Sequence, residues 1–253
     1  KDGLVLSSNR KASLAKQLAG SNAAEARFDL YTATTGTDSL SPAPGKLHGK
    51  VNSKFNDGAA TFTRDGKEMI FTQTNKKKGT NKTRTLGLYH ADWDSIRGWV
   101  NIQPLLFNNV DYNVSQPSIS KDGSKLYLVS DMPGGMGGTD IYVADKQGIT
   151  WAPAVTLGGV ANTVGNEVSP FIADDGTLYF ASDSRIGLGG LDIYSITPNA
   201  SGKWGSAINL GMPANSSSDD FGYVSDEKGK HGYIVSNRSG GMGKEDIYKF
   251  IKR

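Results

Sequence analysis

Apolar and β-branched residues in this chain fall in short runs, divided by clusters of Gly, Asn, Asp, Pro and Ser. Between residues 166 and 218 four such runs follow one another: 168–173 (VSPFIA), 177–182 (TLYFAS), 192–196 (DIYSI) and 207–210 (AINL). Short runs of this composition, bounded by turn formers, predict strands, here designated a, b, c and d. Residues 116–120, 125–130, 140–144 and 154–157 repeat the scheme, and 59–63, 68–72, 86–90 and 100–105 form a weaker copy. The first unit shows b (4–8), c (28–32) and a d strand near 46–51; the last shows a (221–225), b (232–236) and c (246–251). Helical periodicity is almost absent, so the pattern predicts an all-β chain.

The runs have a common period. A thirteen-residue cassette occurs at Ser130 (SDMPGGMGGTDIY), Ser182 (SDSRIGLGGLDIY) and Ser236 (SNRSGGMGKEDIY). Asp-Gly or equivalent turns align at Gly3, Gly66, Gly123, Gly176 and Gly229, while Trp99, Trp151 and Trp204 are each followed six residues later by Leu105, Leu157 and Leu210. A period near 53 residues signals radial or stacked repeats. The expectation is one domain over 1–253, a five-bladed β-propeller of four-stranded antiparallel sheets, with units 1–55, 56–112, 113–165, 166–218 and 219–253. The alternative is six blades, completed by residues upstream. The opening Lys-Asp-Gly-Leu-Val-Leu reads as a segment of a longer multidomain chain, and residues before Lys1 are expected to supply the d strand of the last blade and the a strand of the first, because open sheet edges invite aggregation.

Composition narrows the chemistry. Thirty-two glycines fit many tight turns. Without cysteine there are neither disulfides nor thiolate-bound metal, and a net charge of +3 lacks the concentrated positive patch of a nucleic-acid binder. No apolar run approaches the roughly 18 residues of a membrane span. His48, His90 and His231 are scattered, so neither a zinc site nor a nucleophile–His arrangement is indicated. The glycine loops run from strand to strand rather than into a helix, which argues against phosphate binding. No cofactor is expected.

The repeats nevertheless mark candidate residues. Asp140, Asp192 and Asp246 open strand c and read as loop staples. Arg10, Arg185 and Arg238 share those loops and are expected to pair with acids of an adjacent blade. Asp57, Glu167 and Asp220 sit nine residues before the aligned glycines, at the start of the innermost strand; Val114 replaces the acid in the third unit. If they converge at the channel mouth they would bind a ligand or a hard cation such as calcium, or serve as a glycosidase acid and base; otherwise they hold their own turns. Loop 75–85 (NKKKGTNKTRT) carries Lys76, Lys77, Lys78, Lys82 and Arg84, and is either a solvated basic loop or an anion-binding one. The loop tips Met136, Leu188 and Met242 either rest on the next blade or meet a partner. Insertion 9–27 has a composition compatible with a short helix.

The elements Ser169-Pro170, Asp175-Gly176, Leu178 to Phe180, Ser182-Asp183, Asp192 to Tyr194, Trp204 and Leu210-Gly211 resemble the WD-like repeats of TolB-type propellers. They resemble still more closely those of OmpA-family envelope proteins of Bacteroidetes-type bacteria, a family that includes the PorE-type component of type IX secretion. The likeness is tight over 114–253 and loose over 1–113. It implies a periplasmic propeller joined to other modules, tethered through them to the outer membrane or peptidoglycan, and working as a non-catalytic scaffold that binds other cell-envelope proteins and no nucleic acid. The runner-up is a carbohydrate-binding or glycoside-hydrolysing propeller that uses the channel-mouth carboxylates. Antiparallel alternation puts the b–c and d–a loops at one end of every blade, so the insertions of the first two units would mark one sector of that face as the partner site.

Overall fold

A computed structural model describes residues 3–9, 27–34 and 45–252. The chain divides into two compact units, 1–111 and 112–253. Unit 1 holds two sheets. In the first, β1 (Gly3–Ser8), β2 (Asp29–Thr34) and β3 (Gly45–Lys46) pair in that order; in the second, β4 (Asp57–Phe62), β5 (Glu68–Thr74), β6 (Leu86–Asp94) and β7 (Gly98–Pro104) form an antiparallel meander.

Unit 2 holds three more sheets. Its first meander joins β8 (Val114–Ile119), β9 (Lys125–Ser130), β10 (Asp140–Gln147) and β12 (Val155–Thr156), with β11 (Thr150–Trp151) as a fifth strand. The second consists of β13 (Glu167–Ile172), β14 (Leu178–Ser182), β15 (Asp192–Ile196) and β16 (Ile208–Asn209); the third of β17 (Asp220–Ser225), β18 (His231–Ser236) and β19 (Asp246–Ile251). Each sheet is a propeller blade, and the all-β, five-bladed class expected from the periodicity is the one observed. Among the described residues two blades have three strands, as their incomplete repeats indicated. The third carries a strand that the pattern did not show, because β10 runs past the blade into a hairpin turned at Gly148, whose φ is 61°. The helix considered for insertion 9–27 lies, for 10–26, outside the described residues.

Local chemistry accounts for the connections. The a–b turns close with the amides of Gly66, Gly123, Gly176 and Gly229 donating to the carbonyls of Thr63, Ser120, Ala173 and Asp226, and those glycines have φ between 63° and 85°. Glycine enters that region without a Cβ penalty. The Ser-Pro and Gln-Pro pairs mark β-bulges in the a strands: Gln116 and Ser169 take φ of 51° and 54°, and Gly222 of 64° occupies the equivalent place. Proline lacks the N–H that a regular ladder would use, so it is tolerated at a bulge.

The recurrent Leu is explained by its amide, since Leu105, Leu157 and Leu210 donate to the c-strand carbonyls of Leu88, Ile141 and Ile193. In unit 1 the core gathers Leu30, Leu47, Val51, Met69, Phe71, Tyr89, Ala91 and Trp99. In unit 2 one cluster centres on Ile141, Phe180 and Tyr194, and another on Ile193, Tyr223 and Ile234. Each such side chain fully withdrawn from water contributes about 1.5–3 kcal/mol. Neighbouring a strands of unit 2 are also bonded: the Ser169 amide donates to Gln116 Oε1 at 2.6 Å and the Ile172 amide to Ser118 Oγ at 3.0 Å.

Candidate functional site

The loops that end b and d strands lie at one end of each blade and are built from one recurring set of bonds. The cassette serine terminates strand b, buried, and its hydroxyl caps the loop: Ser130 Oγ accepts from the Met132 amide, and Ser236 Oγ from the Arg238 amide. The next residue pairs with the one before strand a. Asp131 accepts from the amide and side chain of Asn113, Asp183 likewise from Asn166, and in the last blade the types are exchanged as Asn237 and Asp219. The expected staples are present. Asp140 Oδ2 accepts from the amides of Met136 and Gly137, Asp192 Oδ2 from Leu188 and Gly189, and Asp246 Oδ2 from Gly243.

Asp57, Glu167 and Asp220 are wholly buried. Each closes its own approach loop. Asp57 accepts from the Ser53 amide at 2.5 Å and Gln73 Nε2 at 2.7 Å. Glu167 accepts from the Thr163 amide and hydroxyl and from Ser182 Oγ at 2.6 Å. Asp220 accepts from the Ser216 amide and hydroxyl and from Arg238. Burial pushes the Asp57 carboxyl above its ordinary value, against the lowering by its bonds to Ser53 and Gln73. Among the described residues no group of three or more His, Asp or Glu is arranged to hold a metal. The structure thus places these acids inside their blades, with lone pairs committed to neighbours, instead of open at a mouth where a cation or a sugar would reach them.

The expected arginine pairing needs correction. Arg238 does meet an acid, Asp220, but within its own blade, and it also donates to the carbonyls of Pro213 and Ala214. Arg185 donates to the carbonyls of Val160 and Ala161, with its guanidinium 5.8 Å from the rings of Phe180 and Tyr194. Arg10 lies outside the described residues. The apolar tips face solvent: Met136 and Leu188 are about half exposed, at 47% and 49%, and Met242 wholly so.

A residue type that the repeat comparison missed sits five positions before each of the three acids. Asn52, Asn162 and Asn215, together with Asn108, grip both backbone groups of one c-strand residue. Asn162 Oδ1 accepts from the Ile141 amide at 2.8 Å and its Nδ2 donates to the Ile141 carbonyl at 3.0 Å. Asn52 does the same to Leu30, Asn108 to Leu88 and Asn215 to Ile193. The signal was legible as Asn, four residues, then an acid, three times over.

In unit 1 the basic loop is a fixed hairpin. The Asn75 amide donates to the Thr85 carbonyl, Thr80 donates through amide and hydroxyl to Asp111, and Asn75 Nδ2 and Thr85 Oγ1 both reach the Asn109 carbonyl. Lys76, Lys77, Lys78, Lys82 and Arg84 project from it, all exposed. Beside it a cleft of about 320 Å³ is lined by Ser53, Lys54, Phe55, Gln73, Lys76 and Arg84.

With blades and loops so arranged, the class is a five-bladed β-propeller. Among solved structures the fold matches TolB from Acinetobacter baumannii, with 18% identity, a TM-score of 0.51 and 88% of this chain covered against 48% of that one. It also matches the putative TolB from Agrobacterium tumefaciens, with 14% identity, a TM-score of 0.51 and coverage of 88% and 75%. The chain therefore spans about half the length of the first TolB and three quarters of the second. No family model matches, and no curated protein does. The expectation that the chain is not an enzyme does not stand: the same fold is matched in a puromycin-hydrolyzing peptidase of Mycobacterium tuberculosis, with 15% identity, a TM-score of 0.50 and coverage of 93% and 35%. At these identities the likeness carries the fold alone, so it neither assigns a reaction to this chain nor supplies a ground for denying one.

Proposed function

We propose that the chain is a protein-binding propeller module of a bacterial periplasm, which docks another cell-envelope protein on the loop end of unit 1. The observation that carries this reading is the anchored hairpin at 75–85, which presents five cations from a fixed backbone; among the described residues none of the five has a carboxylate partner. Such charge steers encounter with an acidic partner, and contacts beside it set the lifetime of the complex. The exposed tips Met136, Leu188 and Met242 offer unit 2 a second, apolar contact set of its own.

The periplasmic assignment is supported by the TolB-type fold and by the likeness of the repeats to those of envelope proteins. Their closer resemblance to OmpA-family repeats supports tethering to the outer membrane or peptidoglycan through other modules, and a place in type IX secretion. Replacing Lys76, Lys77 and Lys78 together with Glu tests the docking sector. The expected result is loss of partners cross-linked in an envelope extract, with the melting temperature unchanged; an unaltered set of partners would reject it.

A further inference from the structure

Two cations lie over one aromatic ring in unit 1, and a third lines the cleft beside it. Lys54 Nζ lies 5.4 Å and Arg84 Cζ 4.8 Å from the centre of the Phe55 ring, and Lys76 lines the same cleft. Other cations of this unit do meet carboxylates, as Lys46 does with Asp29 and Arg97 with Asp94. Here, among the described residues, the charges rest on the ring face instead, and a ring face is a weak substitute for a carboxylate.

The floor decides which anion fits. Ser53 and Gln73 line the cleft, but the Ser53 amide and Gln73 Nε2 already donate to Asp57, so they offer no cradle of free amides such as phosphate sites use. The buried Asp57 carboxylate beneath repels a dianion more strongly than a monoanion. Phe55, only partly covered, supplies apolar surface for a methylene stem. Beyond the cleft, Lys77 and Lys78 continue the positive surface along the hairpin.

We infer that the cleft around Phe55 is a carboxylate-recognition pocket, which takes a glutamate or aspartate side chain from an acidic peptide segment of the docked protein. The carboxylate enters between Lys54, Lys76 and Arg84, its stem lies on the Phe55 ring, and following acidic residues meet Lys77 and Lys78. This rests on the docking reading above and adds the chemistry of the partner.

The 253-residue chain is titrated calorimetrically with end-blocked tetraglutamate, with tetraglutamine, inorganic phosphate and an oligogalacturonate as comparators. Tetraglutamate is expected to bind more tightly than the other three, and to weaken as salt is raised through the range where charges are screened. Replacing Arg84 or Lys54 with Gln should weaken it by roughly two- to fivefold each, the range of exposed charge pairs. Phe55→Leu should weaken it as well, while Lys121→Gln in unit 2 leaves it unchanged. Near-UV circular dichroism and melting temperature confirm folding of each variant. Equal binding of tetraglutamate by the Lys54→Gln/Arg84→Gln protein overturns the pocket, as does tighter binding of phosphate or oligogalacturonate. If tetraglutamate fails to bind but the triple Lys→Glu protein still loses its envelope partner, the pocket falls and the docking reading stands; the converse pair of results rejects the docking reading alone.

Discussion

The asparagine grip gives a sharp test of what closes each blade. Asn162 is 2% exposed and makes three side-chain hydrogen bonds, with the amide and carbonyl of Ile141 and with Thr156 Oγ1. In Asn162→Ala the Ile141 carbonyl keeps the Leu157 amide, and Thr156, at the surface, turns to water. The Ile141 amide, on a residue with no exposure, is left without its partner. A stranded buried donor costs about 1–3 kcal/mol and the two remaining bonds, whose partners are otherwise satisfied, about 0.5 kcal/mol each, so the expected loss is about 2–4 kcal/mol. For a chain of this size that lowers the melting temperature by roughly 5–15 °C.

Asn199 is the matched comparison. It too makes three side-chain bonds, to the amide and hydroxyl of Ser201 and the amide of Lys203, but in an exposed turn where water replaces them. Asn199→Ala should therefore cost less than about 1 kcal/mol. Urea titrations read by the fluorescence of Trp151 and Trp204, both in the same unit, give the two values, with an unchanged slope as the condition for comparing them. Equal losses from the two substitutions, or a loss under about 1 kcal/mol for Asn162→Ala, would refute the claim that burial of the gripped amide is what matters.

Other side-chain bonds of the loops and turns carry further predictions. Arg238→Met strands the wholly buried Asp220 carboxylate with only Ser216 as donor, and should destabilise by about 3 kcal/mol; Arg185→Met releases two carbonyls and no acid, so about 1 kcal/mol is expected in the same urea titration. Asp122 is held down to about 2 by the hydroxyl of Ser120 and the amide and hydroxyl of Ser124. Its stabilisation is whole above the ordinary carboxylate value near 4 and is lost as pH falls toward 2, so Asp122→Asn should flatten the acid limb of melting temperature against pH; an unchanged limb would reject the assignment. The buried Asp57 has the opposite sign, binding its proton more tightly when folded, so its contribution falls as pH rises above the ordinary value.

Blade number and strand order were legible because they rest on period and alternation, which a single chain displays when its repeats keep landmarks such as Asp-Ile-Tyr and Trp-x5-Leu. The fifth strand of the third blade was not, since residues 150–151 are too few to show alternation. The fate of Asp57, Glu167 and Asp220 was the harder question. Their recurrence located them at the start of strand a, but whether a carboxylate opens outward or is consumed by the residue four places before it depends on the loop's curl, which only coordinates give. Asn52, Asn162 and Asn215 were in view throughout; asparagine is so common between strands that its role emerged only when both backbone groups it holds could be seen. Conversely, the basic loop was conspicuous by charge, whereas Lys54 and Phe55, distant from it along the chain, joined it only through folding.

The exchange of Asn166 and Asp183 for Asp219 and Asn237 has an evolutionary reading. Both arrangements set one amide against one carboxylate and hold the same two backbone segments. Passing from one to the other by single steps goes through a doubly acidic or a doubly neutral intermediate, each a poorer match. Duplicated modules would thus drift at the two positions in tandem, and percentage identity between them understates how far their shapes have stayed alike.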